Sequence, residues 1–180
     1  RYFTYDRRAK SLDPATTQAL NWFYEAGGAD YELWPQPPGD LGQRIQSFFE
    51  FAKELGSGKV VVIGSDSPTL PLALVKGAYR LLQAHDCVLG PALDGGYYLI
   101  GLKRVLPIFE GIAWSTPQVL GQTVERLKAC QASLVMLPPW YDVDVPEDLE
   151  PLRGHLAALE HAQEATFDTC THTRQILYGQ

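Results

Sequence analysis

A short apolar run that stops at a polar turn constrains the fold of this 180-residue chain more than any other feature. Residues 60–63 are four consecutive β-branched residues, without the alternation of a half-buried strand, so we expect a central strand buried on both faces. The run ends at Gly64, Ser65 and Asp66, which places an acidic residue at the carboxyl end of that strand. Ligands of open α/β sheets bind beyond such strand ends. The pattern therefore predicts an α/β sheet with a ligand site near Asp66.

Strand-like and helical patterns alternate along the whole chain. Further strands are expected at residues 1–5, 31–35, 87–90, 97–102 and 133–137. Helices are expected at residues 14–24, 41–55, 72–84, 117–130 (with Thr116 as N-cap) and 147–164 (broken or kinked near Gly154). Within the helices, apolar residues recur at the spacing of an amphipathic helix. This alternation predicts a three-layer α/β/α architecture, with one domain spanning residues 1–180.

Composition narrows the class of protein. The net charge of −6 argues against binding to nucleic acid or to an anionic membrane surface. We find no 18-residue apolar stretch and no signal peptide. Cys87, Cys130 and Cys170 are odd in number and widely spaced, which is typical of reduced thiols in a cytoplasmic protein. The four histidines lie in polar, helix-rich stretches, and we interpret them as surface residues.

The first candidate for chemistry is Asp66. A carboxylate at a strand end is suited to Mg²⁺ or Mn²⁺, which take oxygen ligands and share them with the phosphates of a substrate. The alternative is an Asx turn, in which the carboxylate accepts a hydrogen bond from the amide of Ser67 or Thr69. The segment alone does not decide between the two.

The second candidate is the segment Asp94, Gly95 and Gly96. Two glycines beside an acid would let a ligand approach the backbone. Asp-Gly between two strands is also a strong signal for a hairpin turn, which is the better interpretation of this segment taken alone. Alternation places the rings of Tyr97 and Tyr98 on opposite faces of the strand, so at most one of them can line a cleft.

Asp142 and Asp144 form the third acidic segment, between a predicted strand and a predicted helix. Their alternation favours carboxylates that point the same way and join Asp66 around one cation. The alternative for Asp144 is to cap the helix ahead of Pro146.

Two loop-to-helix junctions complete the candidates. Gly39, Asp40, Gly42 and Arg44 lie where a helix start could offer amides and a guanidinium to a phosphate or a base edge. The alternative is an ordinary Asp40 N-cap with Gly42 and Arg44 on a solvated face. Trp114 begins the other junction, where it is either a stacking platform or a lid or core aromatic.

Four motifs carry a resemblance to a known family: GSDSPTLP, GPALDGGYYLIGL, WSTPQVLGQT and YDVDVPEDL, in this order. Together, from about Gln36 to about Leu152, they resemble the DUF2064 family, which is related to the glycosyltransferase-A and nucleotidyltransferase superfamily. The resemblance implies a mixed, mostly parallel sheet covered by helices. It also implies a nucleotide at the carboxyl edge and a divalent cation, Mg²⁺ or Mn²⁺, held by aspartates.

The resemblance further implies roles for single residues. Asp66 takes the position of the metal-binding aspartate, and Asp142 and Asp144 that of a second pair of polar metal ligands. Asp94, Gly95 and Gly96 resemble the acceptor or sugar side of the cleft, and Asp66 and Asp94 are the catalytic candidates. The residues expected to contact the donor are Gly39, Asp40, Gly42, Arg44, Ser65, Gly95, Gly96 and Trp114.

One departure from the family concerns the beginning of the sequence. Members of the family open with a strand and a phosphate-binding loop that carries Gly, Lys and Arg. Residues 1–5 resemble their second strand, and Arg7, Arg8 and Lys10 do not match the loop. We therefore expect this sequence to lack the first strand and the phosphate loop, and to leave an open groove beside residues 1–5.

Two functions follow from the resemblance. The first is a metal-dependent transferase that moves a glycosyl or nucleotidyl group from a nucleotide-sugar or nucleoside triphosphate donor to a small-molecule acceptor. The second is a catalytically inactive module that keeps the fold and binds a nucleotide or a protein partner. A homodimer is compatible with either function.

Overall fold

The secondary structure alternates as the sequence predicts. The computed structural model describes residues 1–6, 30–163 and 170–179, and the predicted helix at 14–24 lies outside them. The described strands are β1 (Tyr2–Asp6), β2 (Glu32–Gln36), β3 (Val60–Ile63), β4 (Cys87–Pro91), β5 (Tyr97–Leu102) and β6 (Leu134–Met136). The described α-helices are α1 (Leu41–Glu54), α2 (Leu72–Leu81), α3 (Val119–Ala129), α4 (Leu149–His161) and α5 (Thr171–Tyr178). The predicted α/β class is confirmed.

Four strands form a mixed sheet in the order β3-β5-β4-β6. β5 is antiparallel to both β3 and β4, whereas β4 and β6 are parallel, so β3, β4 and β6 all run in one direction. The prediction of a central strand at Val60–Ile63 is wrong for this sheet, because β3 is its edge strand and Ile63 is 48% exposed. The physical reason is the hairpin after β4. It returns β5 to the centre of the sheet, where residues 98–102 are buried.

Helices cover both faces of this sheet, which gives the predicted three layers. On one face, Phe49 of α1 and Leu127 of α3 pack with Leu89 and Ile100 of the central strands. On the other face, Ala78 of α2 packs with residues that alternate with these, Val88 and Leu99. The side chains of a strand alternate between the two faces, and both faces are covered by helices. β4 and β5 are therefore apolar along their whole length.

A second, two-stranded sheet packs on the outer part of α1. β1 and β2 are parallel, with Tyr2 opposite Glu32. The rings of Tyr2 and Trp34 contact Phe48 and Phe51 of α1 at centroid distances of 5.3–5.8 Å. Among the described residues, β1 pairs only with β2 and β3 pairs only with β5. The open groove expected beside residues 1–5 remains a prediction.

The C-terminal helices pack against each other in a cluster of their own. Leu152 and Leu156 of α4 are buried with Cys170, which lies immediately before α5. A 3-10 turn at Pro146–Asp148 precedes α4. The predicted break near Gly154 is wrong, because α4 is one continuous helix from Leu149 to His161. Residue 164, where the helix was predicted to end, lies outside the described residues.

A cluster of polar side chains lies at the opposite edge of the sheet, where β4 and β6 begin. The carboxylate of Asp86 accepts hydrogen bonds from the amide and hydroxyl of Ser133, both at 3.0 Å, and from Arg104 at 3.2 Å. These bonds lower the pKa of Asp86, chiefly through the Ser133 amide.

In the described part of the chain, no helix is both long enough and apolar enough to span a membrane.

Candidate active site at the carboxyl edge of the sheet

The acidic segments predicted from the sequence converge at one edge of the four-stranded sheet. β3, β4 and β6 run in one direction, so the loops that carry Asp66, Asp94, Asp142 and Asp144 leave the sheet at the same edge. The backbone N–H of Val143 donates a hydrogen bond of 2.9 Å to the carbonyl oxygen of Asp66. The topology therefore brings together the candidate catalytic and metal-binding carboxylates of the sequence analysis.

Charge repulsion shows that these carboxylates share one electrostatic environment. Burial raises the pKa of Asp142, and the charges of Asp94, Asp144 and Asp66 raise it further. Burial also raises the pKa of Asp144, and Asp66, Asp94 and Asp148 add to the effect. Ionised carboxylates held this close favour an opposite charge between them. The cluster is thus suited to a cation.

The capping alternatives are not observed for Asp66 or Asp144. Asp66 is exposed, and its carboxylate accepts no hydrogen bond from any of the described residues. Val145 is the N-cap of the 3-10 turn ahead of α4, and Oδ2 of Asp148 accepts hydrogen bonds from the amides of Asp144 at 2.9 Å and Val145 at 3.0 Å. Those two bonds lower the pKa of Asp148. The carboxylates of Asp66 and Asp144 are therefore available to a ligand.

Asp94 lies in the hairpin turn that the sequence alone favours. Its Oδ1 accepts a hydrogen bond of 2.8 Å from the amide of Gly96, and β4 and β5 pair directly on either side. Gly95 has a φ of +94°, and a Cβ there would lie 2.5 Å from the carbonyl oxygen of Pro117. The amide of Leu120 in turn donates to the carbonyl of Gly95 at 2.9 Å. The turn is therefore docked on the start of α3, which leaves Oδ2 of Asp94 for other contacts.

The segment around Asp40 forms a helix cap. The carboxylate of Asp40 accepts from the amide of Gln43 at 2.8 Å, and the Gln43 side chain accepts from the amide of Asp40 at 2.9 Å. The guanidinium of Arg44 donates to the carbonyl of Gly39 at 3.0 Å and to Gln36 at 3.3 Å. The alternative in which Gly42 lies on a solvated face is wrong, because a Cβ there would lie 2.5 Å from the carbonyl oxygen of Phe109.

Trp114 packs as an aromatic of the core. Its ring lies edge-on to Tyr97 at 6.4 Å, and its indole nitrogen lies 2.7 Å from the position of a Cβ on Gly42. Tyr97 and Tyr98 point to opposite faces of β5, as alternation predicts. Thr116 is not the N-cap of α3, because the helix begins two residues later, after Gln118. The Thr116 hydroxyl still accepts a hydrogen bond of 3.3 Å from the amide of Gln118, and it donates one of 2.6 Å to the carbonyl of Ala113.

A chain of hydrogen-bonded polar side chains, which no sequence pattern predicted, lies behind the acidic loops. The hydroxyl of Thr69 donates to the hydroxyl of Tyr141 at 2.8 Å, and that hydroxyl lies 2.8 Å from Nδ1 of His155. The interpretation of His155 as a surface residue is wrong, since it is half-buried. Its position beside Leu152 and Leu156, the buried stripe of α4, is the signal that indicates this burial.

The acidic cluster suits a divalent cation that a substrate helps to hold. In residues 1–6, 30–163 and 170–179, no group of three or more His, Cys, Asp or Glu side chains is arranged to bind a metal ion by itself. Mg²⁺ is commonly bound through one or two carboxylates together with substrate phosphates. The oxygen donors of Asp66, Asp142 and Asp144 fit this mode of binding, because it needs no complete protein cage.

Comparison with known proteins gives the family. The model of the DUF2064 family, described as an uncharacterized protein conserved in bacteria, matches residues 8–116, more than half of the chain. This chain belongs to the DUF2064 family. The matched part of this DUF2064 protein includes Asp66 and Asp94 and ends before Asp142 and Asp144. No functionally curated protein matches the chain.

A solved structure extends the comparison to almost the whole DUF2064 chain. The chain is similar to a crystal structure from Desulfovibrio desulfuricans G20, described as a "putative nucleotide-diphospho-sugar transferase". The sequences are 30% identical, the match covers 98% of this chain and 75% of the other, and the TM-score is 0.77. The glycosyltransferase-A-like fold predicted from the sequence is therefore confirmed.

Proposed function

We propose that this DUF2064 protein is a divalent-cation-dependent transferase with a nucleotide-sugar donor. The observation that carries the proposal is the convergence of Asp66, Asp142 and Asp144 at the carboxyl edge of the sheet, where the charge of Asp66 helps to raise the pKa values of both Asp142 and Asp144. The name of the similar Desulfovibrio structure supports the donor class. A nucleoside triphosphate donor, with nucleotidyl transfer, is the related chemistry to be distinguished.

The chain's own residues have separable tasks in this proposal. Asp66, with Asp142 or Asp144, would hold Mg²⁺ or Mn²⁺ together with the diphosphate of the donor. The bound cation would supply neutralisation of the negative charge on the departing phosphate. Asp94 lies at the turn of the β4–β5 hairpin, with Oδ1 fixed by Gly96. We place it on the acceptor side, where Oδ2 can accept a hydrogen bond from an acceptor hydroxyl and orient it.

A thermal-shift screen tests the donor and the cation together. The protein is scanned with nucleoside mono-, di- and triphosphates and with nucleotide sugars, each with Mn²⁺ and with EDTA. A ligand that binds only the folded state raises its stability in proportion to ln(1 + [L]/Kd). We expect a nucleotide sugar to raise Tm with Mn²⁺ and not with EDTA. Asp66→Asn should abolish this shift, whereas Glu125→Gln, an exposed acid of α3 paired with Lys128, should retain it.

A non-catalytic nucleotide-binding module is the second candidate. The observation that favours it is the incomplete metal cage, because no set of three ligating side chains is arranged around one point within the described ranges. Both candidates give a thermal shift, so turnover separates them. Release of nucleoside diphosphate from the nucleotide sugar selected by the screen supports the transferase, and binding without release over a range of acceptors supports the module.

A further inference from the structure

The aromatic and polar residues behind the acidic cluster connect three parts of the chain. Tyr141 immediately precedes Asp142, Thr69 lies three residues after Asp66, and His155 belongs to α4. The hydroxyl of Tyr141 is 2.8 Å from both Thr69 Oγ1 and His155 Nδ1. One phenol group therefore joins the loop of Asp66, the loop of Asp142 and a helix.

The geometry allows one consistent assignment of hydrogen-bond donors and acceptors. Thr69 donates to Tyr141, so the phenol proton of Tyr141 can be donated to Nδ1 of His155. This assignment requires the imidazole tautomer that carries its proton on Nε2. Thr69 is fully buried, and Tyr141 is half-buried. Breaking this chain would leave a buried hydroxyl without a partner, which makes the arrangement specific.

Packing holds the phenol in place. The rings of Trp140 and Tyr141 are stacked at 6.1 Å with an interplanar angle of 20°. His155 is tilted against both, at centroid distances of 5.8 and 5.6 Å. On the far side, Sγ of Cys170 donates to the carbonyl of Pro68 at 3.3 Å. The loop of Asp66 is thus supported from behind by the C-terminal helices.

We propose that Tyr141 is a positioning residue whose hydroxyl, held between Thr69 and His155, sets the separation between Asp66 and the Asp142–Asp144 pair. Tyr141 does not touch the donor in this account. It acts through the two loops, which the Val143-to-Asp66 backbone hydrogen bond also joins. The consequence for cation affinity rests on the proposed function, whereas the consequence for loop geometry does not.

The test compares three variants with one matched control. Tyr141→Phe removes only the hydroxyl and keeps the stacked ring. His155→Leu removes the acceptor, and His155→Asn restores an acceptor at the position of Nδ1. The control, Ser133→Ala, also removes one hydroxyl and its hydrogen bonds, but at the opposite edge of the sheet.

The first measurement is the affinity for Mn²⁺, taken from the electron paramagnetic resonance signal of free Mn²⁺, with and without uridine diphosphate. Partners of metal ligands typically change metal affinity by about 10–100-fold when they are removed. We expect Tyr141→Phe and His155→Leu to raise the Kd for Mn²⁺ by about tenfold, at the lower end of that range. We expect His155→Asn and Ser133→Ala to remain near the wild-type value. Wild-type affinity in Tyr141→Phe, or an equal loss in Ser133→Ala, overturns the effect on the cation.

The second measurement is hydrogen exchange at the Val143 amide, in the absence of metal. If Tyr141 positions the loops, this amide should exchange about tenfold faster in Tyr141→Phe and His155→Leu than in the wild type, and not in Ser133→Ala. Unchanged protection in Tyr141→Phe overturns the positioning role whatever Mn²⁺ does. A wild-type protein that fails to bind Mn²⁺ while Val143 loses protection in the variants overturns the proposed function and retains the positioning role.

Discussion

The amide of Val143 donates a 2.9 Å hydrogen bond to the carbonyl oxygen of Asp66, and this bond joins two acidic loops that are almost eighty residues apart in the sequence. It exists because β3 and β6 run in the same direction, although β5 and β4 lie between them. The bond fixes the main chain beside Asp142 and Asp144 against the turn that carries Asp66. Burial raises the pKa values of Asp142 and Asp144, and the negative charges of Asp66 and Asp94 raise both further.

Removing one of these charges should stabilise the metal-free protein. Burial and the neighbouring acids raise the pKa of Asp142, so the folded state binds its proton more tightly than the unfolded state does. The contribution of Asp142 to stability therefore falls as the pH rises from the unfolded pKa to the folded pKa. At pH 7, with EDTA and little salt, we expect Asp142→Asn to raise Tm by about 1–3 °C.

The increase in Tm should depend on the negative charge that Asp142 carries in the wild type. It should shrink in acid, where the wild-type carboxyl is protonated, and in high salt, which screens the repulsion. Glu125→Gln, which removes an exposed charge from an i,i+3 pair with Lys128, should change Tm little. A lower Tm for Asp142→Asn at pH 7 would mean that the carboxylate accepts a stabilising bond that outweighs the repulsion.

Asp86 should behave in the opposite way. The hydrogen bonds from Ser133 and Arg104 lower the pKa of Asp86, so its stabilising contribution is complete above the unfolded pKa and is lost as the pH falls through the folded pKa. We expect Asp86→Asn to lower the free energy of unfolding by about 1–2 kcal/mol at pH 7, because hydrogen bonds to a charged group are lost. Urea unfolding at pH 7 and in acid checks this, and a loss that is the same at both pH values would contradict it.

Two helical glycines should respond oppositely to alanine. A Cβ on Gly42 of α1 would lie 2.5 Å from the carbonyl oxygen of Phe109 and 2.7 Å from the indole nitrogen of Trp114. No atom crowds the corresponding position on Gly154 of α4. We expect Gly42→Ala to destabilise the protein by about 1–3 kcal/mol, as overpacking does, and Gly154→Ala to stabilise it by up to about 1 kcal/mol. Urea unfolding of both variants checks the close approach of α1 to residues 109–114, which a neutral Gly42→Ala would contradict.

The local spacing of apolar residues predicted most of the helices and strands. It did not predict the order of the strands in the sheet. The strand at Val60–Ile63 and the helices on either side of it are where apolar spacing predicts them. The position of β3 at the edge of the sheet depends on β5, which reverses direction after the turn at Asp94. A run of valines indicates burial, but strand order follows from pairing over a long sequence separation, which no local window contains.

At the site, single positions could be predicted and contacts between distant residues could not. Strand ends predicted Asp66, Asp142 and Asp144 at one edge, because residue type is local information and the alternation of strands with helices implies strands that run in one direction. The bonds of Tyr141 to Thr69 and His155 join residues 72 and 14 positions apart, and none of the three has an unusual local sequence. Capping shows the same limit, since Val145 rather than Asp144 is the N-cap of the 3-10 turn ahead of α4.

Anomalous scattering from Mn²⁺ tests the central claim most directly. Crystals of the protein grown with Mn²⁺ and the nucleotide sugar selected by thermal shift are measured at the manganese absorption edge. We predict one strong anomalous peak that is coordinated by Asp66, by Asp142 or Asp144, and by the donor diphosphate, and that is absent in Asp66→Asn. Donor density at the carboxyl edge without a manganese peak beside these carboxylates, or a peak that persists in Asp66→Asn, would contradict the account.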